Sequence, residues 1–212
     1  MSDAEHWRIA QLMCSKLCHD LISPIGAINN GLEILNDSGP DMQGDAIDLV
    51  GKSAQQAANR LAFFRVAFGG TGQNDPLEES QIRLLVDNLL AGGRVTLNWT
   101  VSPGGDTSAI DRPLGRLILN MALVGIEALP RGGLLNLSLD RAAGGTRVTA
   151  EAIGSKCTLA DELSRALGED LDLENINVKN VGGVLIRRLA ADLNLSLNVA
   201  FSAGESLTLT AS

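Results

Sequence analysis

The sequence predicts an α+β protein in which a hairpin of two long helices precedes a domain of mixed helices and strands. Apolar residues recur at steps of three and four over about the first 70 residues, a spacing typical of amphipathic helices. In several later segments they alternate with polar residues, as in half-buried strands. The chain has 212 residues, of which 45% are hydrophobic and 20% are charged, so it can bury a core. We therefore expect a helical hairpin over residues 1–72 and an α/β domain over residues 73–212.

Each helix of the predicted hairpin carries an apolar stripe. The first stripe comprises Cys14, Cys18, Leu21, Ile25, Ile28, Leu32 and Leu35. The segment Asn36–Asp41 is rich in turn-forming residues and predicts a sharp reversal of the chain. The second stripe comprises Ile47, Val50, Ala54, Ala57, Leu61, Phe64 and Phe68. The glycine-rich segment Gly69–Gly72 then predicts the end of the helix and a linker.

One hairpin can bury each stripe only in part. Two hairpins packed as a four-helix bundle would bury both stripes, which predicts a symmetric homodimer. In the alternative arrangement, the hairpin packs against the C-terminal domain of its own chain.

The C-terminal domain is predicted from alternating helical and strand patterns. A helix is expected over Leu77–Leu90, between Pro76 and a Gly-Gly pair, and further helices near residues 111–129, 158–168 and 179–192. The expected strands are Val95–Val101, Leu135–Leu139, Val148–Ala152 after a turn at Gly144-Gly145, Leu195–Phe201 and Leu207–Leu209. Helices on one face of such a mixed sheet form an α/β sandwich.

Residues 18–24, with the sequence CHDLISP, contain the candidate catalytic residues. His19 lies one position beyond the apolar stripe and on the same helix face as the small residue Ser23. Pro24 lacks the amide that would bond the carbonyl of Asp20, so it loosens the turn that follows the histidine. An exposed imidazole beside a carboxylate suits nucleophilic chemistry, because the acid can orient or deprotonate one ring nitrogen while the other attacks. We predict that His19 and Asp20 are catalytic.

A metal site is the alternative use of these residues. Cys14, Cys18 and His19 lie close together on one helix, but both cysteines belong to the apolar stripe. His6 is the only other histidine, so a set of four zinc ligands is difficult to assemble. We expect this chain to bind neither a metal nor another cofactor.

The composition argues against nucleic-acid and membrane partners. The chain has 17 basic and 25 acidic residues, with two Trp, four Phe and no Tyr, which disfavours phosphate contacts and base stacking. The longest apolar segment, Leu114–Pro130, is interrupted by Arg116, Asn120 and Glu127. The N-terminus lacks the apolar core of a secretory signal, and three cysteines do not make a disulfide framework. These features favour a cytoplasmic protein.

The segment around His19 resembles the histidine box of dimeric sensor histidine kinases, whose pattern is His-Asp/Glu-Leu-x-Ser/Thr/Asn-Pro. The resemblance implies that His19 is the phosphorylated residue, that Asp20 is its acidic neighbour and that Pro24 occupies the kink. The order of the later elements resembles the ATP-binding domain of histidine kinases, gyrase and Hsp90-type proteins.

The nucleotide-binding residues of that domain are not preserved. Kinases of the family hold their metal with the second Asn of an Asn-Leu-Leu-x-Asn-Ala pattern, and Val124 stands at that position here. They read adenine with the Asp of an Asp-x-Gly-x-Gly pattern, whereas residues 150–155 read AEAIGS, without an aligned Asp. A second glycine-rich element is reduced to Gly182-Gly183. Since valine cannot ligate Mg²⁺, we expect a degenerate domain that does not use ATP.

The whole chain resembles the alphaproteobacterial histidine phosphotransferases, most clearly over residues 18–35 and 60–70. This resemblance implies a homodimeric phosphorelay protein of the cell cycle, which acts between the receiver domain of a hybrid histidine kinase and the receivers of response regulators. Mg²⁺ is expected on the receiver, and the C-terminal domain is expected to help hold receivers instead of nucleotide.

Receivers are expected to dock on the flanks of both hairpin helices. The predicted contact residues are Ser15, Ile22, Ser23, Gly26, Asn29, Gln56, Arg60 and Phe63. Arg60 has two interpretations, as a contact to the acidic pocket of a receiver or as an ordinary surface charge. Two other functions stay open: a divergent but active histidine kinase, and a non-catalytic dimeric scaffold or anti-regulator.

Overall fold

The N-terminal part of the chain is an antiparallel helical hairpin, as predicted. The computed structural model describes residues 3–37, 42–69, 75–102, 109–142, 145–169 and 171–212. Helix α1 (Asp3–Asp37) and helix α2 (Gln43–Ala67) pack along each other. Residues 38–41 of the predicted turn and the linker residues after Gly69 lie outside the described residues.

The C-terminal part contains the predicted mixture of helices and strands. Its elements are β1 (Leu77–Glu78), α3 (Glu79–Leu90), β2 (Val95–Val101), β3 (Ala109–Ile110), α4 (Arg112–Glu127), β4 (Gly133–Ala142), β5 (Gly145–Ile153), α5 (Asp161–Gly168), α6 (Val181–Asp192), β6 (Leu197–Ser202) and β7 (Ser206–Ala211). Of the predicted Gly144-Gly145 turn, residue 144 lies outside the described part of the chain. The α+β class is confirmed.

The predicted helix over Leu77–Leu90 begins two residues later than expected. Leu77 and Glu78 form a short strand that pairs with β3. Glu78 caps α3 from an extended backbone conformation, and the Gln81 side chain accepts a hydrogen bond from the Glu78 amide at 3.1 Å. This reciprocal capping box fixes the start of the helix at Glu79.

Five strands form a mixed sheet in the order β2-β4-β5-β7-β6, in which β2 and β4 are parallel and the other pairs are antiparallel. One row of paired residues runs across the sheet through Leu137, Ala150 and Leu209, and all three are buried. Helix α4 packs over this face, and most of its residues are buried. The opposite face carries polar residues, so the predicted α/β sandwich is confirmed.

The base of the hairpin shares a core with the C-terminal domain. Phe64 and Ala67 of α2 belong to the same buried cluster as Leu117 of α4. On α1, Ile9 and Met13 pack in a second cluster with residues of α5 and α6. The alternative in which the hairpin packs against its own chain is therefore realised at the base.

Beyond the enclosed base, several residues of the apolar stripes are exposed to solvent in the single chain. The exposed members include Cys14, Cys18, Ile25, Leu32, Ile47 and Leu61. The structure therefore shows the second arrangement at the base of the hairpin, and several stripe residues beyond the base stay exposed in the single chain.

Candidate functional site

His19 lies on the accessible surface of α1, and its side chain is 83% exposed. Its Nδ1 lies 3.1 Å from Oδ1 of Asp20, whose side chain is much less exposed. A carboxylate at this distance accepts a hydrogen bond, so we assign the ring proton to Nδ1 from this contact. The lone pair of Nε2 is then available for nucleophilic attack.

Pro24 lies within α1, as the sequence predicts, and leaves the carbonyl of Asp20 without its usual helical donor. Arg60 of α2 compensates, because its Nη1 donates to this oxygen over 3.4 Å. The second helix of the hairpin therefore supports the turn that carries the histidine.

Two residues that the sequence interpretation missed complete the surroundings of Asp20. Lys16 Nζ lies 3.8 Å from Asp20 Oδ2 and 2.6 Å from Oε1 of Glu127, the last residue of α4. The spacing of four residues between Lys16 and Asp20 is a signal that sequence alone could have supplied. Glu127 comes from a distant part of the chain and has no local signal.

Most of the predicted docking residues lie on the surface. The exposed ones are Ser15, Ile22, Ser23, Asn29 and Gln56. Gly26 and Arg60 are half-buried. A Cβ added at Gly26 would meet no atom within 4 Å, so the space beside this residue is open. We call these residues, together with His19, the predicted docking face of the hairpin.

The prediction is wrong for Phe63, which is 0% exposed. Its ring packs edge-on against Phe64, with the centroids 5.9 Å apart, inside the core shared with the C-terminal domain. Because the base of the hairpin is enclosed, a position beside the stripe is buried there and cannot contact a receiver.

The cysteines occupy two different environments. Cys14 and Cys18 are exposed, whereas Cys157 is buried, and burial raises the pKa of its thiol. Within the described ranges, no three His, Cys, Asp or Glu side chains are grouped so that they could hold a metal ion. Nor does any described helix have the length and apolar character needed to cross a membrane.

Two positions at which the sequence departs from the kinase nucleotide motifs lie beside a small cavity. Val124 and Gly182 line a cavity of about 10 Å³, which Met13 and Lys16 of α1 also line. Such a space holds about one water molecule. Asn120, the first Asn of the kinase pattern, is buried and donates to the carbonyls of Ala67 and Arg116 at 3.0 and 2.8 Å.

Residues 150–155, which the sequence comparison set against the adenine-reading motif, contain one carboxylate, that of Glu151. Glu151 lies on β5 between the buried residues Ala150 and Ala152, so it belongs to the face of the sheet opposite the helices. There it accepts a hydrogen bond from Nδ2 of Asn136 at 2.8 Å. Its carboxylate serves a contact between neighbouring strands.

Comparison with known proteins gives a consistent set of similarities. Residues 79–205 match the family "Histidine phosphotransferase C-terminal domain". The protein phosphotransferase ChpT of Brucella abortus (strain 2308) is 37% identical over 133 residues. That match covers 62% of this chain and 61% of the relative, which is less than two thirds of its length. A solved structure described as a bacterial phosphotransferase superposes with a TM-score of 0.84 at 28% identity, covering 100% of this chain and 98% of the other.

Proposed function

The chain belongs to the histidine phosphotransferase family, and from that membership we propose that it relays phosphoryl groups between receiver-domain aspartates through His19. The observation that carries the proposal is the exposed imidazole, whose Nδ1 is engaged by Asp20 at 3.1 Å. The partners are proposed to be the receiver of a hybrid histidine kinase and the receivers of response regulators. The phosphotransferases to which the chain is similar support this assignment.

In the proposed reaction, Nε2 of His19 attacks the phosphorus of a receiver's aspartyl phosphate in line with the bond to the leaving oxygen. The N–P bond forms as the P–O bond breaks, and the receiver's aspartate leaves as a carboxylate. Asp20 accepts the Nδ1–H hydrogen bond and stabilises the positive charge that develops on the ring. Mg²⁺ bound by the receiver would neutralise charge on the transferring group. The reverse step with a second receiver completes the relay.

We propose further that the chain works without ATP. Val124 offers no oxygen ligand for Mg²⁺, and the neighbouring cavity of about 10 Å³ is far smaller than a nucleotide. Met13 and Lys16 of the hairpin also line this small cavity. These features support a domain that positions partners instead of binding a nucleotide.

The homodimer is likewise a proposal, and it rests on the exposed stripes. Ile25 and Leu32 on α1, and Ile47 and Leu61 on α2, are each 45–59% exposed in the single chain. Exposed apolar residues at helical spacing along both helices of a hairpin are typical of a surface that a second copy covers. The docking face that includes His19 lies beside this stripe.

The relay is tested by mixing the purified protein with a receiver carrying ³²P on its aspartate. Label is expected on the wild-type chain and on the control His6→Gln, and its loss is expected from His19→Gln, which keeps a polar side chain of similar size. A wild-type chain that takes up no label, or a His19→Gln chain that is labelled as well as the wild type, would contradict the proposal. Incubation with γ-labelled ATP is expected to leave the protein unlabelled; labelling would favour the divergent kinase instead.

The dimer is tested by sedimentation of two matched variants. Leu61→Glu places a charge in the stripe, whereas Leu84→Glu places one at a comparably exposed leucine of α3, with 52% and 58% exposure respectively. We expect Leu61→Glu to be monomeric and Leu84→Glu to remain a dimer. A wild-type chain that sediments as a monomer would refute the dimer.

A further inference from the structure

Lys16 is unusually enclosed for a lysine, and its surroundings connect the C-terminal domain to the catalytic histidine. Its side chain is 16% exposed. Its ammonium contacts Oε1 of Glu127 at 2.6 Å and lies 3.8 Å from Oδ2 of Asp20. Asp20 in turn contacts Nδ1 of His19 through its other carboxylate oxygen. Four side chains from two parts of the protein thus form a continuous chain of contacts.

The enclosure of Lys16 needs both carboxylates. An ammonium group is rarely removed from water unless it is paired, because its desolvation is unfavourable. The side chain lines the same small cavity as Leu123, Val124 and Leu163. In this position it cannot reach far into solvent, and Glu127 fixes where its charge lies.

The charge of Lys16 acts on the carboxylate that orients the histidine. Asp20 faces three groups of the hairpin: Lys16 at Oδ2, His19 at Oδ1, and the guanidinium of Arg60 at its backbone carbonyl. A carboxylate held at one oxygen by a fixed cation presents the other oxygen in a defined direction. The Nδ1–H of His19 therefore has an acceptor whose position depends on Lys16.

On the basis of the proposed function, we infer that Lys16 is a positioning residue for His19 and that Glu127 holds it in place. The C-terminal domain thereby contributes to the rate of phosphoryl transfer without contacting the transferring group. This assigns the end of α4, where Glu127 lines the same small cavity as Val124, a role in the orientation of the phospho-accepting ring.

The test measures single-turnover transfer from a phosphorylated receiver over a range of receiver concentrations. Lys16→Met is expected to lower the maximal rate constant roughly tenfold, less than the hundredfold that a misplacement of about 1 Å can cost. The receiver concentration at half-maximal rate is expected to stay unchanged, because Lys16 is not on the docking face. Lys16→Arg is expected to restore most of the rate.

Glu127→Gln is expected to show a smaller decrease in the same direction. The double variant Lys16→Met/Glu127→Gln is expected to be no slower than Lys16→Met alone, because the two side chains act in one chain of contacts. The control is Lys52→Met, which removes an exposed lysine paired with Asp48 at 3.5 Å on the same hairpin. Its rate should equal that of the wild type.

A second readout does not depend on transfer. Ring ¹⁵N chemical shifts of His19 are expected to show the Nδ1–H tautomer in the wild type and a mixture of tautomers in Lys16→Met. The inference would be overturned if Lys16→Met changed neither the ¹⁵N shifts of His19 nor the maximal rate constant. It would also be overturned if Lys16→Met changed only the receiver concentration at half-maximal rate. If the wild type takes up no phosphoryl group, the proposed function fails, and the ¹⁵N shifts still decide whether Lys16 positions His19.

Discussion

Nη1 of Arg60 lies 3.4 Å from the carbonyl oxygen of Asp20, the oxygen that Pro24 deprives of its helical amide. A proline on one helix and an arginine on the other therefore form a compensating pair. The cost of leaving this carbonyl unsatisfied is reduced by a charged donor, which also connects α2 to the turn that carries His19. The sequence left two interpretations of Arg60 open. The structure adds a third, in which Arg60 supports the main chain of α1 at Asp20.

The compensation predicts a coupling between Arg60 and Pro24. We expect Arg60→Met to lower the free energy of unfolding by about 1 kcal/mol, because the Asp20 carbonyl loses its donor. In a Pro24→Ala background, residue 24 supplies an amide to that carbonyl, and Arg60→Met should then cost less. Urea denaturation of the four chains measures the coupling. Equal costs in both backgrounds would contradict it. Arg83→Met, which removes an exposed arginine that pairs with Asp87, is the control.

Two glycines of α1 are predicted to respond to alanine in opposite ways. A Cβ at Gly31 would lie 2.6 Å from Cγ2 of Val50 and 3.3 Å from the carbonyl of Ala46, so the Val50 side chain or the spacing of the two helices would have to change. We expect Gly31→Ala to destabilise the fold by about 1–3 kcal/mol. Gly26→Ala meets open space and is expected to stabilise the helix by up to about 1 kcal/mol. Thermal unfolding compares the two. The expectation fails if Gly31→Ala melts at or above the wild-type temperature.

Phe63 is predicted to contribute to folding stability, and Ile22 is predicted to contribute to receiver binding. Phe63→Ala opens a cavity in the shared core and is expected to lower the free energy of unfolding by about 3–5 kcal/mol. Ile22 is 68% exposed, so Ile22→Ala should change that free energy by no more than about 0.5 kcal/mol. We expect Ile22→Ala instead to weaken receiver binding, measured by calorimetry. A stable Phe63→Ala protein would contradict the assignment of this residue to the core.

The cysteines are predicted to differ in reactivity. Burial both excludes reagents from Cys157 and raises the pKa of its thiol, so the fraction of reactive thiolate is low at neutral pH. In the Leu61→Glu variant, which we expect to be monomeric, iodoacetamide at about pH 8 should modify Cys14 and Cys18 and should spare Cys157 until the protein is unfolded in urea. Mass spectrometry of the digested protein assigns the sites. Rapid modification of Cys157 in the native protein would refute this.

Deprotonation of Cys157 is also predicted to reduce stability. Its pKa is higher in the folded chain than in the unfolded chain, so the unfolded chain releases the thiol proton first as the pH rises. The contribution of this thiol to stability is therefore complete below its ordinary pKa and is lost as the pH rises through the raised pKa. Urea unfolding of the wild type and of Cys157→Ala over this range should show a steeper decline for the wild type. Parallel declines would contradict the prediction.

The elements with strong local patterns could be predicted from the sequence. The apolar stripes predict α1 and α2, and the alternation of apolar and polar residues predicts the main strands. The segment CHDLISP predicts an exposed histidine beside a carboxylate. The contact between Lys16 and Glu127 could not be predicted, because it joins residues that only the tertiary fold brings together. The burial of Phe63 could not be predicted for a related reason. Periodicity shows which helix face is apolar, but it does not show how many faces of the helix the rest of the protein covers.

Helix α1 is one uninterrupted element that belongs to both parts of the molecule. Its first turns lie in a core with α5 and α6, and its later turns lie against α2, whose own end is buried against α4. Loosening either part therefore removes contacts from a helix on which the other part depends. We expect calorimetry to show a single heat-absorption peak, because the hairpin and the domain melt as one cooperative unit.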